Sequence, residues 1–354
     1  MTTPTIPAGN LFMNATLYTG TGTTQTITNG VAGQSFAPDF VWAKQRGAAT
    51  DHVLYDVIRT GTNSLTSNNT AAEVNQTSNG CTVAFNSNGF TAGADTAGYL
   101  NYPSRTYVGW QWKAGGTAVS NTNGSITSSV SANTTSGFSV VTYTGNGASS
   151  ATIGHGLGVA PSMIIVKRRD GVGGSGYDNW GVYHTSLGNT QGLWLQLTSS
   201  AYTSAALWNN TSPTSSVFTV ALQTGAGYNP SGTNLVAYCW SEVAGYSKFG
   251  SYTGNGSADG PFIYLGFKPR FVMIKCSSAA GNDWPIIDTS RATYNVAGPE
   301  LYADLSQAES TSNYIDIVSN GFKIRSTGGQ VNTSATTYIY ACFAENPFKY
   351  VLAR

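Results

Sequence analysis

"YTGNG" spans Tyr143–Gly147 and recurs at Tyr252–Gly256, and a close relative, "YTGTG", spans Tyr18–Gly22. Other letters follow each copy in step. A proline-headed apolar run ending in lysine comes next, at Pro38–Lys44, Pro161–Lys167 and Pro269–Lys275. The tyrosine-to-proline spacings are 20, 18 and 17 residues. Each copy then closes on a second apolar run, Tyr107–Trp112, Ala237–Glu242 and Tyr340–Glu345. The period is about 100 residues, too long for a solenoid repeat or propeller blade and long enough for a small domain with its own core.

The local chemistry reads as strands. Glycine after Tyr-Thr supplies positive φ, and Asn-Gly favours a tight hairpin turn, so the pentapeptide marks the end of a first strand turning into a loop. The rival reading, a phosphate cradle, needs a helix N-terminus, and no helix pattern follows Gly147 or Gly256. Proline suits the start of a strand, where its missing N–H costs least. Lysine suits the end, with its charge reaching water. Thr337–Phe343 is apolar on both alternating faces, the pattern of a strand covered on both sides. Ser139–Tyr143 alternates more weakly, as if one face were wet. Pro299–Leu305 is the one short helix candidate. Many short strands with frequent turns predict an all-β chain of three tandem, jelly-roll-like β-sandwich domains. Their bounds are 1–116, 137–244 and 245–354, with a polar, unpatterned linker at 117–136. The junction near 243–247 is short, so repeats two and three are expected to pack rigidly together.

Composition narrows the function. Only 9% of residues are charged and the formal net charge is +1, against roughly 25% charged in ordinary soluble domains. Nucleic-acid binding is not expected, because that affinity is carried by clustered Lys and Arg. The start of the chain has no basic-then-apolar leader pattern, and no apolar run approaches the ~20 residues of a membrane helix, so membrane insertion is not expected. The 42 glycines and 20 tyrosines combine turn chemistry with core-building aromatics. Cys81, Cys239, Cys276 and Cys342 show no CxxC or Cys/His zinc spacing. Cys239 and Cys342 occupy matching places in two repeats, where the first has Gly109. Matching places in separate domains rarely face each other, so all four read as reduced, buried thiols. No metal or cofactor is expected.

Few residues stand out as chemistry. Asp56-x-x-Arg59 returns as Asp288-x-x-Arg291, while the middle copy has His184 and Leu187. The pair reads as a local structural device, with a polar ligand site as the rival. His52, His155 and His184 lie in no nucleophile elbow, HExxH or triad-like context, and the 16 acids offer no preferred pair, so no enzymatic activity is expected. Asn179–Trp180, after the glycine-rich stretch 171–178, sets an aromatic ring beside an amide, and Asn282 with Trp284 does the same. A ring to stack on and an amide to bond hydroxyls are what a sugar site needs, which makes Asn179, Trp180, Asn282 and Trp284 the candidate ligand residues. The opposing reading has each Trp opening the next strand and packing inward. Trp180 precedes His184, and Trp284 precedes Asp288, by the same four residues.

The repeats resemble a family of Gly/Ser/Thr-rich domains in virion proteins of tailed bacteriophages, notably marine and cyanobacterial ones. The resemblance is carried by Pro38–Leu65, His155–Arg169, Tyr246–Lys275 and Phe343–Arg354. It implies a virion protein, above all a tail fibre or receptor-binding component that recognises a host surface glycan; a capsid decoration or tail-assembly protein is the alternative. The partners it implies are other virion subunits and further copies of the chain, a trimer foremost. It implies assembly in the bacterial cytoplasm, which agrees with unpaired cysteines and the lack of a leader. It carries no functional residues over to this sequence.

Overall fold

The structure is a computed structural model that describes residues 11–30, 35–171, 178–223 and 226–345. Among these the chain is all-β and sandwich-like, with 28 strands paired antiparallel and one α-helix, Ala205–Trp208, capped by the Ser204 hydroxyl.

The same connectivity is written three times. In each unit the opening strand (Met13–Thr19, Phe138–Thr144 or Ser247–Thr253) pairs with the closing strand (Thr106–Trp112, Asn234–Trp240 or Thr337–Ala344). The closing strand pairs in turn with the lysine strand (Phe40–Gln45, Met163–Arg168 or Pro269–Cys276). Beyond it lie a fourth strand (Val53–Asp56, Gly181–His184 or Pro285–Asp288) and a fifth (Thr60–Leu65, Gln191–Trp194 or Ala297–Tyr302). The register is common to all three: Phe40 faces Asp56 and Trp112, Met163 faces His184 and Trp240, and Phe271 faces Asp288 and Phe343. Trp42, Ile165 and Met273 are therefore matching positions. A smaller outer layer covers one face of each main sheet. It is built on Gln25–Thr28 with Gly89–Ala92, on Ser150–Gly154 with Val217–Gln223, and on Phe262–Tyr264 with Gly321–Ile324.

The opening pentapeptide is a clamp. Its tyrosine hydroxyl donates to a loop carbonyl in each unit: Tyr18 to Leu100, Tyr143 to Tyr228, Tyr252 to Val331, at 2.8, 2.9 and 2.7 Å. The next residue of that loop is a buried asparagine, Asn101, Asn229 or Asn332, whose side-chain oxygen accepts the backbone N–H of Thr21, Asn146 or Asn255. The first glycine is required by contact: a Cβ at Gly20, Gly145 or Gly254 would lie 2.1–2.3 Å from a carbonyl of the same loop. The second, Gly22, Gly147 or Gly256, has φ of 69–77°, the region glycine enters without strain. The strand does end here and turn into a loop, but the loop is held by a distant asparagine and forms no two-residue hairpin.

Each lysine strand is buried on both faces. Val41 and Ala43, or Ile164 and Val166, face the unit's own outer layer. The alternate residues Phe40 and Trp42, Met163 and Ile165, and Phe271 and Met273 meet in one core shared by all three units. Aromatic rings cross the boundaries there: Phe40 stacks on Tyr238 at 4.4 Å, Trp112 touches Trp240 and Phe343, and Trp110 touches Phe271. The void at the centre is about 10 Å³, no larger than one water. The three units thus close a ring instead of forming a string with one rigid pair.

Several sequence expectations are corrected. Residues 117–136 are not a loose linker: Val119–Asn121 and Ser128–Asn133 extend the second unit's main sheet beside its opening strand. Their hydroxyls hide the pattern, since Ser128 donates to the Gly154 carbonyl and Ser131 accepts from Gly115 N–H. Ser139 is buried, so the opening strand of unit two has no wet face along its first half. Pro299–Leu305 is not helical; Ala297–Tyr302 is a strand with Pro299 at a register shift, where a missing N–H is tolerated. Gln111, not Gly109, matches Cys239 and Cys342 in register. All four cysteines are buried and unpaired, and burial pushes the Cys81 thiol up to about 12.

The lysines also end elsewhere than expected. Lys44, Lys167 and Lys275 are completely buried. Their ammonium groups donate to backbone carbonyls: Gln45 and Ala48, Thr70, and Leu197 and Asn282 respectively. Burial lowers each to about 8. A lysine in the unfolded chain keeps its proton to about pH 10.4. Between those values the unfolded state binds more protons, so these groups raise stability as pH rises. Unfolded thiols begin to oppose this near pH 8.5–9. The melting temperature is therefore expected to climb above about pH 7.5 until the thiols cancel the effect, and Lys167→Met to remove about a third of the lysine contribution and so at least a third of the net slope; calorimetry across that range that finds equal slopes for both proteins refutes the assignment.

Candidate functional site

The residues singled out as sugar contacts lie in the boundaries between units. Trp180 is fully buried, and its indole N–H donates to the carbonyls of Thr66 at 2.8 Å and Asn69 at 3.2 Å, across the boundary in unit one. Trp284, also buried, donates to the Trp194 carbonyl in unit two at 3.2 Å. The matching position in unit one is His52, whose Nε2 bonds the Tyr302 carbonyl in unit three at 2.9 Å. Thr66, directly after the fifth strand of unit one, holds the register place that Trp194 and Tyr302 hold at the ends of theirs, so the three contacts form a cycle. A ring used this way has no face for a ligand, which removes sugar stacking at Trp180 and Trp284 and leaves the inward-packing reading. Asn179 and Asn282 are half-buried: the Asn179 side chain accepts from Gln196 at 2.5 Å, and the Asn282 carbonyl accepts from Lys275. Residues 172–177 of the glycine-rich stretch before Asn179 lie outside the described residues.

The Asp-x-x-Arg pairs belong to the same boundaries. Asp56 and Arg59 are fully buried at 2.5 Å, and Asp288 and Arg291 at 2.6 Å. Each aspartate also accepts from another unit, Asp56 from the Tyr238 hydroxyl and Asp288 from the Trp110 indole. Each arginine reaches on to a glutamate, which pairs with a second arginine across the boundary. The chains run Asp56–Arg59–Glu73–Arg169 and Asp288–Arg291–Glu309–Arg46. Four charges balance in each, which is what lets them sit out of water. Sequence reading missed Glu73, Glu309, Arg46 and Arg169, although Arg46 and Arg169 follow their lysines by the same two residues.

The three histidines are committed to structure. His52 Nδ1 accepts from the Trp42 indole, His184 Nδ1 from Ser186 N–H, and His155 Nδ1 from Leu157 N–H. In each, Nε2 faces a carbonyl. Burial, aided by Lys44, holds His52 well below the usual range, and burial lowers His184 to about 4. Neither nitrogen of any of them is open to a substrate proton.

Among the described residues, one surface feature that differs between the units is the outer layer of unit three. Phe262 and Tyr264 are 48% and 60% exposed on its edge strand. Registered across the layer, Phe262 faces Lys323, which faces Asp316, while Tyr264 faces Gly321, which faces Val318. Gly321 is required by close approach, since a Cβ there would lie 2.0 Å from the Ile263 carbonyl oxygen, as one at the matching Gly89 would from that of Ile27. The Lys248 ammonium lies 5.7 Å from the Tyr264 ring, within cation–π range. Tyr294 is 86% exposed on the loop that Asn295 ties to Ile317 of the same layer. The turn at exposed Asn320 accepts from Leu265 and Gly266 N–H. Units one and two act as internal controls. With Ile27, Ile153 and Ile263 aligned, Phe262 replaces Thr26 and Thr152, and Tyr264 replaces Thr28 and Gly154. The fold therefore does not require aromatics at these positions.

The chain belongs to the family described as Domain of unknown function (DUF7483), whose match runs over residues 8–347. Neither the curated proteins nor the solved structures contain a match to it.

Two substitutions test the structural role of the boundary residues. Trp180→Ala removes a buried indole and is expected to cost about 3–5 kcal/mol. Asp288→Ala strands Arg291 without its buried partner, at a similar cost of about 3–5 kcal/mol. Because the core is shared, both are expected to lower one cooperative melting transition of the whole chain; a separate, low-melting transition confined to one unit would contradict this.

Proposed function

We propose that this chain is a structural component of a tailed-bacteriophage virion, and that its third unit recognises a host surface glycan through the outer layer around Phe262 and Tyr264. The observation that carries the reading is the replacement of threonine and glycine by two exposed aromatics in one of three copies of the same layer. Exposed rings cost solubility and contribute nothing to this core, so they point to contact with something else. Rings beside a cation and the exposed Asn320 amide suit a neutral carbohydrate: C–H faces stack on the rings and hydroxyls bond the polar groups. The phage setting rests on the resemblance of the repeats to virion domains. Low charge agrees with recognition that uses aromatics and amides in place of ion pairs, and such binding depends little on salt. A trimer of chains would present three such faces, and that multiplicity supplies the avidity weak sugar binding needs.

The same face could instead seat another virion subunit, the structural reading without a glycan. One experiment separates the two. Phe262→Thr with Tyr264→Thr restores the residues of unit one. Stability should change by no more than about 0.5 kcal/mol, as for ordinary surface positions. Binding to a panel of bacterial surface polysaccharides is expected to fall by about tenfold or more. Unchanged polysaccharide binding, or loss of incorporation into particles with binding intact, defeats the receptor reading.

A further inference from the structure

The boundary between units two and three differs from the other two at four aligned positions. Where the others carry the buried Asp–Arg–Glu–Arg chain, this one has His184 for aspartate and Leu187 for the first arginine. Ala201 stands for the glutamate: its N–H donates to the Ser277 carbonyl at 2.8 Å, as Glu73 N–H does to Arg169 and Glu309 N–H to Arg46. Ser277 stands for the second arginine, two residues after Lys275 as Arg46 and Arg169 are after their lysines. Three long charged side chains are thus replaced by leucine, alanine and serine. The space they would fill remains as a cleft of about 350 Å³ lined by Ser186, Leu187, Gln191, Ala201, Ser277, Ser278 and Thr337.

We propose that this cleft is a binding site for one neutral, hydroxylated ring of monosaccharide size, separate from the aromatic face of unit three. Its volume lies at the lower end of small-molecule sites. None of the seven lining residues is charged, so neither an anion nor a cation finds a counter-ion among them. Leu187 and Ala201 offer apolar surface. Ser186 and the Gln191 amide form no side-chain hydrogen bond among the described residues and are free to meet hydroxyls. The wall behind them is fixed: Ser277 Oγ donates to the Thr337 carbonyl at 3.1 Å, and Ser278 Oγ accepts from Thr337 N–H at 2.8 Å. His184 does not restore a charge, because its Nε2 is bonded to the Tyr340 carbonyl and burial keeps the ring neutral.

The test uses the full chain carrying Phe262→Thr and Tyr264→Thr, so that the outer face does not contribute. The probes are the methyl α-glycosides of glucose, galactose, mannose and N-acetylglucosamine, read by saturation-transfer NMR. At least one is expected to bind saturably at about millimolar concentration. Refilling the cleft with Leu187→Arg, Ala201→Glu and Ser277→Arg together is expected to weaken that binding by about tenfold or more. Ser186→Ala with Gln191→Ala, at positions that do not hold the core, is the second arm and should weaken it by about fivefold. The proposal is overturned if no glycoside binds the starting chain. It is overturned equally if binding survives in a folded refilled chain or, where that chain does not fold, in the Ser186/Gln191 variant.

Discussion

Everything in this molecule depends on covering the main sheets on both sides. The lysine and closing strands are apolar at consecutive positions, so each main sheet has two faces to remove from water. The small outer layer can cover only one. The other faces of three sheets are brought together, Trp42, Ile165 and Met273 among them, in a core no unit could complete alone. Three matching contacts close the cycle. His52, Trp180 and Trp284 each place an N–H donor on a carbonyl at the end of the neighbouring unit's fifth strand. A heterologous interface that closes after three steps forms a ring, the arrangement seen when separate subunits assemble. Here it is made within one chain.

Ring closure also accounts for where the few charges went. A chain that is 9% charged would be expected to keep its charges in water. Instead it buries three lysines, two Asp–Arg pairs and much of the glutamates and arginines that extend them. The boundaries between units bring strand ends together, and strand ends leave carbonyls without ladder partners. Long cationic side chains can reach those carbonyls. The cost of burial is offset by hydrogen bonds to carbonyls and by alternation of sign along each chain of four.

The fold was legible where periodicity was strong. Repeated proline-to-lysine runs located the lysine strands, and the two-sided apolar pattern of Thr337–Phe343 announced that something must lie on each face. That the something was the other repeats was not legible, because a two-sided strand does not say what covers it. Ser128–Asn133 and Ala297–Tyr302 were missed because their strand character rests on backbone pairing and hydroxyl bonds, with little apolar alternation. The candidate site was misplaced for a related reason. Trp180 beside Asn179 looks the same in sequence whether the indole meets a sugar or a carbonyl of the next unit, and only the neighbour decides. Phe262 and Tyr264 did leave a signal: alignment of the repeats sets them against three threonines and a glycine at positions where the intervening isoleucine is kept.

That comparison between copies carries the functional argument further than any single residue could. Three copies of one unit in a closed ring share their packing demands almost completely. A position that changes in one copy alone is therefore released from the fold or recruited to something outside it. Gly22, Gly147 and Gly256 do not vary, because the clamp loop needs them. The outer layer of unit three gains two rings, and the boundary of units two and three loses a chain of charges. The first change adds exposed apolar area; the second gives up buried ion pairs and leaves space. Neither strengthens the ring. Both lie on unit three or its border, so in these two respects the ring departs from three-fold symmetry at unit three, as it would where contact with another molecule breaks the symmetry.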